Sequence, residues 1–126
     1  MMSQQTLDDV VLTLDTKKYR IRIHKQVYHN LGNPKLLQFL VNPEDGIIAV
    51  RGTDHRTPGD YSVRVNLDKP EGEASCDVYC KYFIERLLYT WQEINRGSCY
   101  ILTGTLNARQ RAAFFPVATL ELISEK

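Results

Sequence analysis

Polar and apolar side chains alternate from residue 19 to residue 24, in the order Tyr-Arg-Ile-Arg-Ile-His. This period of two is typical of a half-buried β-strand. The apolar positions change to helical spacing over residues 27–31, and Gly32 follows where a helix would end. The pattern predicts a strand followed directly by one short helix.

Two apolar runs, at residues 36–41 and 47–50, flank the sequence Asn-Pro-Glu-Asp-Gly. Pro43 fits the first central position of a type I turn, and Gly46 supplies the positive φ that closes such a loop. A hairpin is therefore expected. Residues 19–52 form one predicted unit of strand, short helix and hairpin.

The longest helical pattern lies between residues 75 and 96. Gly97 stands where such a helix would end. Apolar side chains recur there at the spacing of one helix face, and the members of this stripe are Cys76, Tyr79, Cys80, Phe83, Ile84, Leu87, Leu88, Trp91 and Ile94.

The start of this segment is ambiguous. Residues 76–79 fit a strand as well as a first helical turn, whereas a helix over residues 81–95 is expected in either case. We expect this long helix to lie across a sheet as the main core element, with Phe83, Leu87 and Trp91 buried.

Short apolar runs and further alternation predict the other strands. Their ranges are residues 10–14, 61–66, 99–106 and 112–123. Pro116 inside the last range indicates an edge or a bulge. Residues up to Asp9 are expected to be a loose polar lead-in, and the turn-forming residues of 53–60 and 68–73 predict loops.

The order of elements in residues 19–52 recurs in the second half of the chain. The tripeptide at 23–25 aligns with that at 79–81, and the turn at 42–46 aligns with that at 107–111. This order is typical of a duplicated strand–helix–hairpin unit, and the alternative is two unrelated α+β pieces. The candidate half-units are residues 10–66 and 75–123.

These elements predict an α+β fold in one domain, residues 1–126. We expect mostly antiparallel sheet or a partly closed barrel, with one long helix packed on it and one short helix.

Composition limits the possible environments. The formal net charge is +1, so a site for nucleic acid or membrane would have to be a local patch. No apolar run approaches the ~18 residues of a membrane span, and the N-terminal residues lack the order of a signal peptide. Three cysteines, an odd number, argue against a disulfide framework. We expect a cytoplasmic protein with no membrane contact.

Arg-Ile-His-Lys at residues 22–25, Val27, Leu-Gly at residues 31–32 and the predicted hairpin follow one another in a recognisable order. This order resembles the AbrB-like, or swapped-hairpin, DNA-binding motif of transition-state regulators and antitoxins. The resemblance covers about a quarter of the chain. His24 replaces the proline of that motif, and residues 33–35 replace its Gly-Asp step.

The resemblance implies a DNA-binding barrel. The family usually forms this barrel by exchanging hairpins between two chains, whereas here the remaining sequence would supply the second half within one chain.

No nucleophile motif, paired-carboxylate context or glycine-rich phosphate loop is present in the sequence. We therefore predict no catalytic residue and a non-enzymatic protein. Cys76 and Cys80 lie on the apolar stripe, where a free cysteine acts as a small hydrophobic residue. Without further ligands at metal-binding spacing, we expect free thiols, no metal and no cofactor.

Basic residues of the first half are the candidate binding residues. Alternation sends Arg20, Arg22 and Arg64 to the non-core faces of their strands, where neighbouring arginines would form a ridge for phosphate groups. The alternative is a solvated sheet face whose charges prevent edge aggregation. The candidate nucleic-acid-binding residues are Arg20, Arg22, Lys25, Arg51 and Arg64.

Two classes of function remain. The first is a small nucleic-acid-binding or regulatory protein that uses the basic sheet face and forms a homodimer. The second is a protein-interaction or accessory module, of the phage or mobile-element type, without nucleic-acid binding. Near-neutral charge and exposed aromatic side chains would favour the second class.

Overall fold

The computed structural model describes residues 6–56, 61–64 and 75–125. No helix within these ranges is long and apolar enough to cross a membrane. The elements in chain order are β1 (Thr6–Asp15), β2 (Arg20–His24), α1 (Lys25–Asn30), β3 (Leu36–Asn42), β4 (Ile47–Thr53), β5 (Tyr61–Arg64), β6 (Ser75–Tyr79), α2 (Lys81–Thr90), β7 (Ser98–Asn107), β8 (Ala112–Pro116), a 3-10 turn (Val117–Thr119) and β9 (Glu121–Glu125).

The strands of the described residues form one antiparallel sheet. Their order is β5-β3-β4-β8-β7-β1-β2-β6, and β9 pairs with β7. The two end strands approach each other, with Cα atoms of β5 and β6 within 8 Å. The sheet therefore curls into a half-barrel, and the predicted sheet-rich fold with mainly antiparallel strands is confirmed.

The core fills the inside of the curled sheet. Leu12 and Leu14 of β1 and Ile21 and Ile23 of β2 are almost completely buried, as the alternation of their strands requires. The Phe83 ring of α2 lies with its centroid 5.2 Å from that of Phe39 on β3, so α2 packs on the sheet. The predicted burial of Phe83, Leu87 and Trp91 is confirmed.

The prediction of one long helix is wrong. Residues 76–79 belong to β6, and α2 is only ten residues long. It ends before Trp91, whose backbone is extended at φ −124° and ψ 120°. The Asn95 carbonyl instead accepts a hydrogen bond from the Thr16 hydroxyl at 2.7 Å, and its N–H donates to the Tyr100 hydroxyl at 2.8 Å. Tertiary hydrogen bonds thus replace another helical turn, while Ile94 stays buried.

Two end segments also differ from the prediction. The expected lead-in is part of β1 from Thr6 onward, because β1 pairs with β7 up to Asn107. A β-bulge between Asp8 and Val10 interrupts that pairing. The predicted strand at 112–123 is divided into β8, the 3-10 turn and β9.

Some predictions lie outside the described residues. These are the loop at 68–73, the end of the predicted strand at 65–66 and residues 57–60 of the loop predicted at 53–60. For Arg64 the structure describes only the backbone, which lies opposite Leu36 of β3.

Candidate functional site

Arg20 and Arg22 lie on β2 beside the carboxylates of neighbouring strands. Arg22 donates from Nε and Nη2 to the two carboxylate oxygens of Asp77, at 2.7 and 3.1 Å. Arg20 donates from Nη2 to Asp15 at 3.2 Å, and its Nη1 is 3.8 Å from Asp77. The charges of both arginines are therefore compensated locally.

Two of the other candidates lie on other elements than this pair. Arg51 is exposed on β4, which β8, β7 and β1 separate from β2 in the sheet order. Lys25 is the first residue of α1 and is half-buried. Arg20 and Arg22 each contact a carboxylate, so they do not present the expected ridge of guanidinium groups open to phosphate. The side chain of Arg64, the third predicted member, lies outside the described part of the chain.

The turn between β1 and β2 is fixed by residues that sequence analysis did not select. The Thr16 hydroxyl is 2.7 Å from the Asn95 carbonyl oxygen and 2.9 Å from that of Ser98. It also accepts a hydrogen bond from the Ser98 N–H at 2.9 Å. These contacts attach the turn to the segment between α2 and β7.

A second contact holds α2 against the same turn. The Tyr19 hydroxyl donates to Glu85 at 2.8 Å and accepts from Arg96 at 3.0 Å. Arg96 also donates twice to Glu85, at 2.8 and 2.9 Å. The hydrogen bonds from Arg96 and Tyr19 lower the pKa of Glu85 to about 2. The Lys81 ammonium lies 5.6 Å from the centre of the Tyr19 ring, within reach of a cation–π contact.

A cleft of about 330 Å³ lies between this turn and the start of β7. We call it the turn cleft, and its lining residues are Asp15, Lys17, Lys18, Arg20, Gly97, Ser98 and Cys99. Asp15 accepts backbone hydrogen bonds from Lys17 and Lys18 at 3.0 and 3.1 Å. Burial, and to a lesser extent Asp15, raises the pKa of the Cys99 thiol, so this cysteine is not an activated nucleophile.

The outer side of α2 carries exposed aromatic side chains. Tyr82 is 81% exposed and Tyr89 is 90% exposed. They are seven residues apart, so they lie on one helix face about 10 Å apart along the axis, with exposed Arg86 between them. We call Tyr82, Arg86 and Tyr89 the tyrosine face. The same helix buries Phe83, Ile84 and Leu87 on its opposite side.

These arrangements were not predicted from the sequence, for identifiable reasons. Tyr82 and Tyr89 fall off the apolar stripe, which was a usable signal for exposure. Asp77 occupies a polar position of the alternation over β6, but its contact with Arg22 depends on a strand pairing that no local pattern encodes.

A second cleft and the buried cysteines are weaker candidates for a functional site. A second cleft, of about 350 Å³, is lined by Asp8, Asp9 and His24 among others. Within residues 6–56, 61–64 and 75–125, no group of three or more His, Cys, Asp or Glu side chains is arranged to hold a metal ion. Cys76 and Cys80 are buried and belong to no disulfide of the described residues, and burial raises the pKa of the Cys80 thiol to about 12.

Comparisons with known proteins found no match to this chain among protein families, curated proteins or solved structures.

Proposed function

We propose that this protein is a non-enzymatic protein-interaction module that binds its partner through the tyrosine face. The observation that carries the proposal is the exposure of Tyr82 and Tyr89 on one side of α2. Tyrosine and arginine are among the residue types that contribute most to protein–protein binding energy. A tyrosine combines a large apolar surface with a hydroxyl that can hydrogen-bond across an interface.

The tyrosine face is held in place before a partner binds. The buried Phe83, Ile84 and Leu87 fix the inner side of α2. The Glu85–Arg96 pair, with Tyr19, fixes its flank. A rigid surface loses less conformational entropy on binding, so more of the contact energy appears as affinity.

The ion pairs of β2 weigh against the nucleic-acid alternative at the basic sheet face. A phosphate group on Arg22 would have to displace Asp77, whose side chain is only 9% exposed. Removing the cation from a mostly buried carboxylate is costly, because the charge loses its compensation. This observation favours protein interaction over nucleic-acid binding by Arg20 and Arg22.

A photo-crosslinking residue at position 82 tests the proposal, with the same residue at Gln110 as the control. A protein captured only from position 82 would be identified, purified and titrated against the chain. We expect Tyr82→Ala/Tyr89→Ala to weaken its binding at least about tenfold, since a hot-spot side chain contributes about 2 kcal/mol or more. Equal affinity of the double variant and the wild type would refute the proposal.

A parallel titration tests the alternative. Binding of an oligonucleotide that weakens steeply with salt, and that Arg20→Ala/Arg22→Ala abolishes, would support nucleic-acid binding instead.

We also propose that the two halves are copies of one unit and that together they close a barrel. The element order strand–strand–helix–strand–strand occurs in β1 to β4 and again in β5 to β8. The strands that correspond in this order pair with each other, β2 with β6 and β4 with β8. β1 pairs with β7, and their counterparts in the other half, β5 and β3, also pair with each other.

β2 with β6 and β4 with β8 are antiparallel, as a two-fold axis between corresponding strands requires, and the pairs β1–β7 and β3–β5 are alike in direction, both antiparallel. Each half thus contributes a strand to the other half. This exchange supports the relationship to swapped-hairpin barrels that residues 19–52 resemble, with both halves in one chain. A common fold does not carry DNA binding with it. Cytoplasmic location and a homodimer stay predictions.

A further inference from the structure

We infer that the turn cleft binds a phosphate group, carried by inorganic phosphate or by a small phosphate monoester. Lys17, Lys18, Arg20 and Asp15 line it. Asp15 balances the charge of Arg20, so the two lysines leave a formal charge of +2. A phosphate monoester carries a charge of about −1.5 to −2 near neutral pH. The cleft therefore matches the charge of a phosphate dianion better than that of a carboxylate.

Hydrogen bonds fix the backbone of the turn that carries the two lysines. One oxygen of Asp15 accepts the N–H groups of both Lys17 and Lys18, and the other oxygen accepts from Arg20. Thr16 attaches the turn to Ser98 on the opposite wall. The two lysines thus start from a rigid backbone, and their long side chains can converge on one anion.

The lysine charges are available to a ligand. Both side chains are exposed, and neither ammonium lies within 4 Å of a carboxylate of the described residues. Arg20 is held by Asp15 and Asp77, so the uncompensated positive charge of the cleft comes from the two lysines. The volume of about 330 Å³ lies at the lower end of the range for small-molecule sites, which leaves room for an organic group beside the phosphate.

The inference does not depend on the tyrosine face, because none of its residues lines the turn cleft. It stands even if the protein-interaction proposal fails.

Amide chemical shifts measured at constant ionic strength test the inference, with inorganic phosphate, ribose 5-phosphate and acetate as probes. We expect saturable shifts at Lys17, Lys18, Gly97 and Cys99 with both phosphate probes, and weaker binding of acetate. Tighter binding of ribose 5-phosphate than of inorganic phosphate would identify a monoester as the ligand, and equal binding would identify free phosphate.

The variant Lys17→Gln/Lys18→Gln should bind phosphate about tenfold more weakly, because each exposed charge contact contributes a few-fold in affinity. Lys35→Gln, which removes an exposed lysine elsewhere, should bind like the wild type. The single variants should each show a smaller loss. Absence of saturable shifts, or an unchanged affinity of the double variant, would overturn the inference.

Discussion

Arg22 on β2 and Asp77 on β6 lie directly opposite each other in the strand register. Their side chains form a two-point contact, with distances of 2.7 and 3.1 Å from the guanidinium to the carboxylate. The Asp77 side chain is 9% exposed and that of Arg22 is 42% exposed. The arginine therefore covers the carboxylate and links two strands that are far apart in the chain.

Removing this arginine should destabilise the fold. Arg22→Gln is expected to lower the free energy of unfolding by about 1–3 kcal/mol, because a mostly buried carboxylate loses its closest cation. Arg20, at 3.8 Å from Asp77, limits the loss. Urea denaturation measures it, and Lys35→Gln as an exposed control should change stability by less than about 0.5 kcal/mol. An Arg22→Gln variant as stable as this control would contradict the prediction.

The two sides of α2 should respond differently to truncation. Leu87 is fully buried, so Leu87→Ala should cost about 2–5 kcal/mol in the free energy of unfolding. Tyr89→Ala on the exposed side should cost less than about 0.5 kcal/mol. Denaturation of both variants under the same conditions checks this. Equal costs would mean that the buried face of the helix is wrongly assigned.

The Thr16 hydroxyl should stabilise the attachment of the turn to β7. Thr16→Val keeps the shape of the side chain but leaves the buried Ser98 N–H without this acceptor. An unsatisfied buried polar group costs about 1–3 kcal/mol. We expect that loss in denaturation, with faster hydrogen exchange at the Ser98 amide. Thr16→Ser, which keeps the hydroxyl, should retain most of the stability, and an equal loss in both variants would argue against the hydrogen bond.

The Glu85–Arg96 pair predicts a specific loss of stability in acid. The folded pKa of Glu85 is lowered to about 2, below the value of about 4.3 for a free glutamate. Its stabilising contribution is therefore complete above pH ~4.3 and disappears as the pH falls toward ~2. The stability difference between wild type and Glu85→Gln should shrink over that window.

Carboxyl NMR titration measures the pKa of Glu85 directly. In Arg96→Gln the midpoint should move upward toward the free value, because the strongest hydrogen-bond donor has gone. A midpoint unchanged by Arg96→Gln would rule out this cause of the shift.

Division of the chain tests the proposed exchange between halves. Fragments 1–60 and 61–126 separate β3 from β5 and β1 from β7, so neither should be a folded monomer. Co-expressed, they should assemble into a complex with a cooperative unfolding transition. A folded monomeric fragment, detected by analytical ultracentrifugation and amide dispersion in NMR, would contradict the shared barrel.

Local sequence determined the elements whose signals are complete within a few residues. The alternation of residues 19–24 gave β2, and the spacing that ends at Gly32 gave α1. Gly46, with φ at 67°, closes the hairpin between β3 and β4 as its turn position predicts. Period and turn chemistry act between near neighbours, so they can be read without knowledge of the fold.

Tertiary structure decided what local periodicity leaves open. Burial of Cys76 and Val78 follows strand alternation on β6, burial of Phe83 and Leu87 follows helix periodicity, and burial of Trp91 comes from the turn after α2. One apolar stripe in the sequence therefore runs through a strand, a helix and a turn. Burial requires only that these side chains reach the core, and several backbone conformations achieve that. Strand register likewise decided which charges of the candidate site compensate each other. Asp77 compensates Arg22 only because β6 pairs with β2, and that contact joins residues 55 positions apart.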